Sequence, residues 1–223
     1  MTPLVLAVDT THEYGSIALL RGAESLQEVE LHAPTGFAHV LYPHLAELLA
    51  RHGVRAAEVD CFAAAAGPGS FTGVRVGLAC VKGLAEATGR SAAAISNLQA
   101  LACFGTGEWR AVVLDARRGE VYGAVYDRAG QLAAPETVAP LAGWLAGLPG
   151  LELEFVSPDF APFAAALTGT RFADSKVVAA PRAIAAAVGR LAVARFLAGE
   201  AQDPAALDAN YVRRSDAELL WKE

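Results

Sequence analysis

Asp9, Thr10 and Thr11 follow the apolar run LVLAV (4–8), where a turn between strands would bring one carboxylate and two hydroxyls to a phosphate or a metal-bound water. The simpler use of the same residues is structural: an aspartate that ends a strand accepts hydrogen bonds from the amides of its own turn. That simpler use is preferred. GPGSFTGVRVG (67–77) sets four glycines and a proline before a helical pattern. A phosphate loop would need Gly-Lys-Ser/Thr after four intervening residues, and neither Gly67 nor Gly69 has it. A nucleophile elbow needs glycines two positions either side of its serine, but Ser70 has Pro68 and Thr72 there. A dinucleotide fingerprint fails at Thr72, where its third glycine belongs. What remains is a strand-to-helix turn, with Ser70 or Thr72 as the N-cap. His39 and His44 are five apart, which places them poorly on one helical face, and no further ligands accompany them.

Eighteen basic against 24 acidic residues give a formal charge of −6, and the longest basic runs are the pairs Arg117–Arg118 and Arg213–Arg214. A stand-alone nucleic-acid binder displaces phosphate counterions with a broader basic patch, so strong direct RNA or DNA binding is not expected. With 54% hydrophobic and 19% charged residues, the chain buries enough apolar surface to offset its ordering entropy. Much of that content is alanine, which predicts closely approaching backbones and few aromatic anchors. Cys61, Cys80 and Cys103 are odd in number and form no CxxC pair, so buried free thiols are expected rather than a disulfide framework or a zinc site. The start, MTPLVLAVDTT, has no basic leader, and no apolar stretch reaches the roughly 18 residues of a membrane span. A cytoplasmic location is expected.

These candidates must be positioned by regular elements. The patterning predicts strands over 4–9, 16–22 and 25–32. Next comes a helix over 38–52 with Leu41, Leu45, Leu48 and Leu49 at helical spacing, then a buried strand over 61–67 and a helix over 72–89. A short strand at AAAIS and a helix at NLQALACF follow. In the helix over 72–88, Gly73 and Gly77 lie one turn apart, Cys80 and Leu84 continue that face, and Arg75, Ala79, Lys82 and Glu86 form a solvated stripe. AVVLDARRGEVYGAVYD (111–127) repeats the pattern of the chain's start: a buried strand ending in aspartate, a polar turn, a second strand. A shift of 106 aligns Asp9 with Asp115 and Ala18 with Ala124. This predicts a boundary near GTGE (105–108) and two lobes, 1–106 and 107–223, the second containing helices over 141–147 and 181–200.

LAVDTT, GPGSFTGVRVGLACVKGLA, LDARRGEVY and YVRR, spread from residue 6 to 214, together resemble the bacterial TsaB (YeaZ) family. The resemblance implies an α/β chain with two lobes of the actin-like, sugar-kinase-like ATPase fold (ribonuclease H-like), as duplicated βββαβα units. It also implies a part in making N6-threonylcarbamoyladenosine beside the anticodon of tRNAs that read codons beginning with adenosine. The related catalytic subunit, TsaD, carries two metal-binding histidines four residues apart, where one helical turn points both at one metal. In ISNLQAL those positions are Asn97 and Leu101, and leucine has no lone pair to give. No metal site and no catalytic residue are therefore expected.

The implied role is a noncatalytic scaffold that binds TsaD, helps recruit the ATPase TsaE, forms a homodimer when alone and meets tRNA only through the complex. The implied interface is a four-helix bundle with the equivalent TsaD helices, using Leu41, Leu45 and Leu48 from the first helix and Gly73, Gly77, Cys80 and Leu84 from the second. No cofactor is required. Asp9, Thr10 and Thr11 are the candidate contacts for weak or shared binding of ATP or ADP with magnesium. The alternative is an independent ATP-dependent phosphotransferase using Asp9 or Asp115, while a metalloprotease is disfavoured by Asn97 and Leu101.

Overall fold

β1 (Leu4–Asp9) is buried at every position, as an unbroken apolar run in a central strand should be. In the computed structural model, which describes residues 2–213, it pairs antiparallel with β2 (Tyr14–Arg21) and parallel with β4 (Cys61–Ala65). β3 (Glu24–His32) and β5 (Ser91–Ile95) complete a sheet of order β3-β2-β1-β4-β5. α1 (Leu41–Arg51) and α2 (Phe71–Thr88) cover one face: their Leu41, Leu45, Leu48, Val74, Leu78 and Val81 share a core with Leu6, Val8, Ile17 and Leu19. The hydroxyl of Ser70 caps α2, accepting from Gly73 N at 3.3 Å, and Gly89 closes it at φ +64°. α3 (Asn97–Ala102) follows β5.

The second unit repeats the order. β6 (Trp109–Asp115), β7 (Glu120–Asp127), β8 (Leu132–Pro140), α4 (Leu141–Gly147), β9 (Leu153–Ser157), α5 (Ala161–Leu167) and β10 (Val177–Ala179) form a sheet of order β10-β9-β6-β7-β8. Here the expectation of few aromatic anchors fails. Phe155 meets Trp144, Phe160 and Phe172 at ring-centroid distances of 6.3, 5.7 and 5.4 Å, and Gly123 is a glycine because a Cβ there would overlap the Trp144 ring. β8 contains Pro135 and ends at Pro140, which an edge strand tolerates.

Two sequence expectations are corrected. The chain does not divide at 106: the first unit holds residues 2–97 and 182–210, the second 98–181 and 211–213 among the described residues. The long helix expected in the second lobe is α6 (Ala185–Leu197), which lies against β1, β2, β4 and β5 of the first sheet. Leu20 points to the face opposite Leu19 and fills the space that Gly189 leaves open. The orphan amides at the start of α6 find partners far back in the chain. Ser16 Oγ accepts from Ile184 N at 3.0 Å and Ala185 N at 2.9 Å, and Glu28 Oε1 accepts from Ala186 N at 2.8 Å.

The second correction concerns the repeat. Asp9 and Asp115 are equivalent strand ends, but Asp9 pairs with Ser16 and Asp115 with Val121, so the second turn is one residue shorter. Ala18, opposite Ala7, therefore corresponds to Gly123, opposite Val113, rather than to Ala124.

Candidate functional site

The turn after β1 and the glycine turn before α2 close on each other within the first unit. Asp9 is 1% exposed, and its Oδ1 accepts from Thr11 N at 2.9 Å and from the Thr11 hydroxyl at 2.7 Å. Burial pushes its carboxyl above the ordinary range, opposed by the positive field of His12 and by the bonds from Thr11. Thr10 donates its hydroxyl to Gly73 O at 2.7 Å, and Thr11 O accepts from Ser70 N at 2.7 Å. Asn97, fully buried, joins both turns: its Nδ2 donates to the Thr11 hydroxyl at 2.6 Å, and its Oδ1 accepts from Gly67 N at 2.9 Å. From further along the chain, Asn210 N donates to Ala66 O at 2.8 Å.

The glycines are needed here for close approach. A Cβ on Gly73 would overlap the Thr10 carbonyl oxygen, one on Gly77 would lie 2.7 Å from Thr10 Oγ1, and one on Gly69 would lie 2.7 Å from Thr11 O. Gly67 holds φ +101°. Asp9, Thr10 and Thr11 do not fit a phosphate or a metal ion, because the carboxylate is sealed and both hydroxyls are turned to partners in the fold. Asp115, the equivalent strand end in the second unit, also accepts from the amide two residues on, Arg117 N at 2.7 Å, but it is exposed.

At the expected metal-ligand positions, Asn97 is committed to these two turns and Leu101 is 1% exposed and apolar. Neither arrangement fits a metal ion. His44 Nδ1 lies 2.7 Å from Val40 O, and His39 is exposed. Cys61 and Cys80 are buried, with thiols pushed up to about 12 and about 11 by burial, whereas Cys103 is exposed, against expectation.

Residues 32–198 match the family model described as TsaD, tRNA N6-adenosine threonylcarbamoyltransferase. The tRNA threonylcarbamoyladenosine biosynthesis protein TsaB of Haemophilus influenzae is 42% identical over 122 residues, 53% of this chain and 51% of that protein. The structure of YeaZ from Pseudomonas aeruginosa superposes with a TM-score of 0.80 at 28% identity, covering 94% of this chain and 99% of that one. The chain belongs to the TsaB (YeaZ) members of this family. It spans about half the length of the first curated TsaB relatives that it matches. The expected two-sheet, actin-like ATPase architecture is also that of the activator of 2-hydroxyisocaproyl-CoA dehydratase from Clostridium difficile, at a TM-score of 0.53, 10% identity and coverage of 88% and 97%.

For a TsaB-type chain, the placement of the expected interface residues matters. Leu41, Leu45, Leu48 and Cys80 are buried in the core of their own unit, Leu84 packs half-buried against it, and Gly73 and Gly77 face Thr10. The stripe of small residues thus serves contacts inside the fold. What α1 and α2 turn outward is different: Tyr42 is 54% exposed and Phe71 is 42% exposed, with the Arg75 guanidinium carbon 3.6 Å from the Phe71 ring centroid. Leucine periodicity marks the buried face of α1 and does not mark the exposed aromatic Tyr42 beside it.

Proposed function

We propose that this chain is a noncatalytic subunit of the bacterial apparatus that forms N6-threonylcarbamoyladenosine in tRNA. It supports a TsaD-type catalytic subunit, helps recruit a TsaE-type ATPase and pairs with a second copy of itself when alone. The observation that carries the noncatalytic part is Asn97, which stands at a TsaD metal-ligand position and is locked between Thr11 and Gly67, with apolar Leu101 one turn on. No cofactor of its own is required, since the turn that would meet a nucleotide is filled by its own bonds to α2. Among the described residues no helix is long and apolar enough to cross a membrane, and work in the cytoplasm fits a tRNA-directed role. The contact surface of α1 and α2 is their outward face around Tyr42 and Phe71, because large aromatics that leave water supply most of an interface's energy.

Light scattering of the chain mixed with a TsaD-type subunit tests this. The wild-type chain forms a defined complex, and Tyr42→Glu with Phe71→Glu weakens it by about tenfold or more while leaving the thermal transition in place. Failure of any complex, with or without nucleotide, would refute the scaffold role. An undiminished complex of the double variant would place the interface elsewhere.

A further inference from the structure

The two exposed aromatics of the first unit are each held by a neighbour. On α2 the Arg75 guanidinium carbon lies 3.6 Å from the Phe71 ring centroid, one helical turn away. On α1 the Tyr42 hydroxyl donates to the sulfur of Cys80, a residue of α2 that is 2% exposed. A surface tyrosine ordinarily buries its ring and leaves its polar tip to water. Tyr42 does the reverse: the hydroxyl is turned inward onto sulfur while the residue as a whole is 54% exposed. Its ring therefore reaches from one helix to the other with its apolar surface open.

The neighbouring surface gives that ring little to lean on. From Tyr42 the exposed ridge of α1 continues through Ala46 and Ala50, and from Phe71 and Arg75 that of α2 continues through Ala79 and Gly83, at i, i+4 spacing. Small residues supply no side walls, so the Tyr42 ring takes its direction from Cys80. Arg75 is exposed and open to a partner, whereas Cys80 belongs to the apolar core of its unit and no partner reaches it.

We propose that Cys80 is a positioning residue for partner docking: from behind the surface it holds the Tyr42 ring in the orientation that the catalytic partner meets. This rests on the scaffold role and the α1 and α2 contact face proposed above. A ring already held in one rotamer has less freedom to lose on association, so a bond made inside the free chain is read out as affinity.

Surface plasmon resonance of the chain on a TsaD-type subunit, after light scattering has verified the complex, tests this through a double-mutant cycle. Tyr42→Phe keeps the ring and removes only the hydroxyl, and Cys80→Val fills the core site and removes the acceptor. Each is expected to weaken association about three- to tenfold, mainly in the dissociation rate. The double variant should be no weaker than either single one, because both changes remove the same bond. Cys80→Ser keeps an acceptor and should retain most of the affinity. Unchanged affinity in the single variants overturns the proposal. So do losses that multiply in the double variant, which would mean that the Tyr42 hydroxyl meets the partner directly. Either result leaves the scaffold role standing. Where a core variant fails to fold, Tyr42→Phe at its exposed position decides, and unchanged affinity there overturns the proposal. An undiminished complex of Tyr42→Glu with Phe71→Glu removes the contact face and this proposal with it. If the wild-type chain forms no complex, both readings fall together.

Discussion

Asn97 Nδ2 donates to the Thr11 hydroxyl at 2.6 Å, across 86 residues of chain. Because the same side chain accepts from Gly67 N, one residue ties the turn after β1 to the turn before α2. Truncation to Asn97→Ala leaves the buried Gly67 amide without an acceptor and removes a donor from Thr11. Each loss costs about 1 to 3 kcal/mol, so the first unit should lose about 2 to 4 kcal/mol in total. Hydrogen exchange at the β1 and β2 amides reads this directly. Protection unchanged from the wild-type chain would show that the cluster does not stabilise the sheet.

Gly73 and Gly83 lie in one helix but meet different surroundings. A methyl group on Gly73 collides with a backbone oxygen, Thr10 O, which cannot rotate away, whereas nothing lies within 4 Å of one on Gly83. Gly73→Ala should therefore destabilise by about 3 kcal/mol or more through forced backbone movement. Gly83→Ala should instead stabilise by about 0.5 to 1 kcal/mol, through helix propensity and a less free unfolded chain. Urea unfolding followed by circular dichroism separates the two. A similar shift for both variants would mean that the tight approach to Thr10 is not a feature of the folded chain.

Much of the first unit is legible because its signals are local. Continuous apolar runs mark β1 and β4, leucine spacing marks α1, and the glycine turn opens α2 at Phe71, one residue before the expected start. The second unit is less legible. LAAPETVAP has two prolines and no clear alternation, so β8 looks like loop until its pairing with β7 is seen, and β9, α5 and β10 are too short for period to decide. The partner of α6 is also non-local: Ser16 and Glu28, which cap it, precede it by more than 150 residues. At the site, the structural use of Asp9 is legible from its turn context. Asn97 is read only as a missing ligand, since its bonds to Thr11 and Gly67 depend on tertiary approach. The Gly73 and Gly77 stripe announces close packing but not which backbone arrives, and the answer is Thr10.

Glu154, on β9, provides a pH-dependent test of the link between α3 and β6. Its side chain is 5% exposed, and burial alone would raise its pKa. Hydrogen bonds from Gly107 N at 2.9 Å, Thr106 N at 2.6 Å and the Thr106 hydroxyl at 3.0 Å, with Lys176 Nζ at 2.7 Å, outweigh that and hold it at about 2, below the ordinary 4.5. A depressed carboxyl stabilises the folded chain fully above the unfolded value and loses that contribution as pH falls from 4.5 toward 2. With Lys176 itself largely exposed and screened, the contribution is about 2 to 3 kcal/mol. Glu154→Gln cannot titrate and presents its amide hydrogens to neighbouring donors, so it should be less stable at neutral pH, and most of its gap to the wild-type chain should close by pH 2.5. Urea unfolding of the second unit, followed through the fluorescence of Trp109 and buried Trp144, measures that difference between pH 7 and 2.5. A constant gap between the two proteins across this range would mean that the carboxylate is not held in its ionised form by the 105–107 turn.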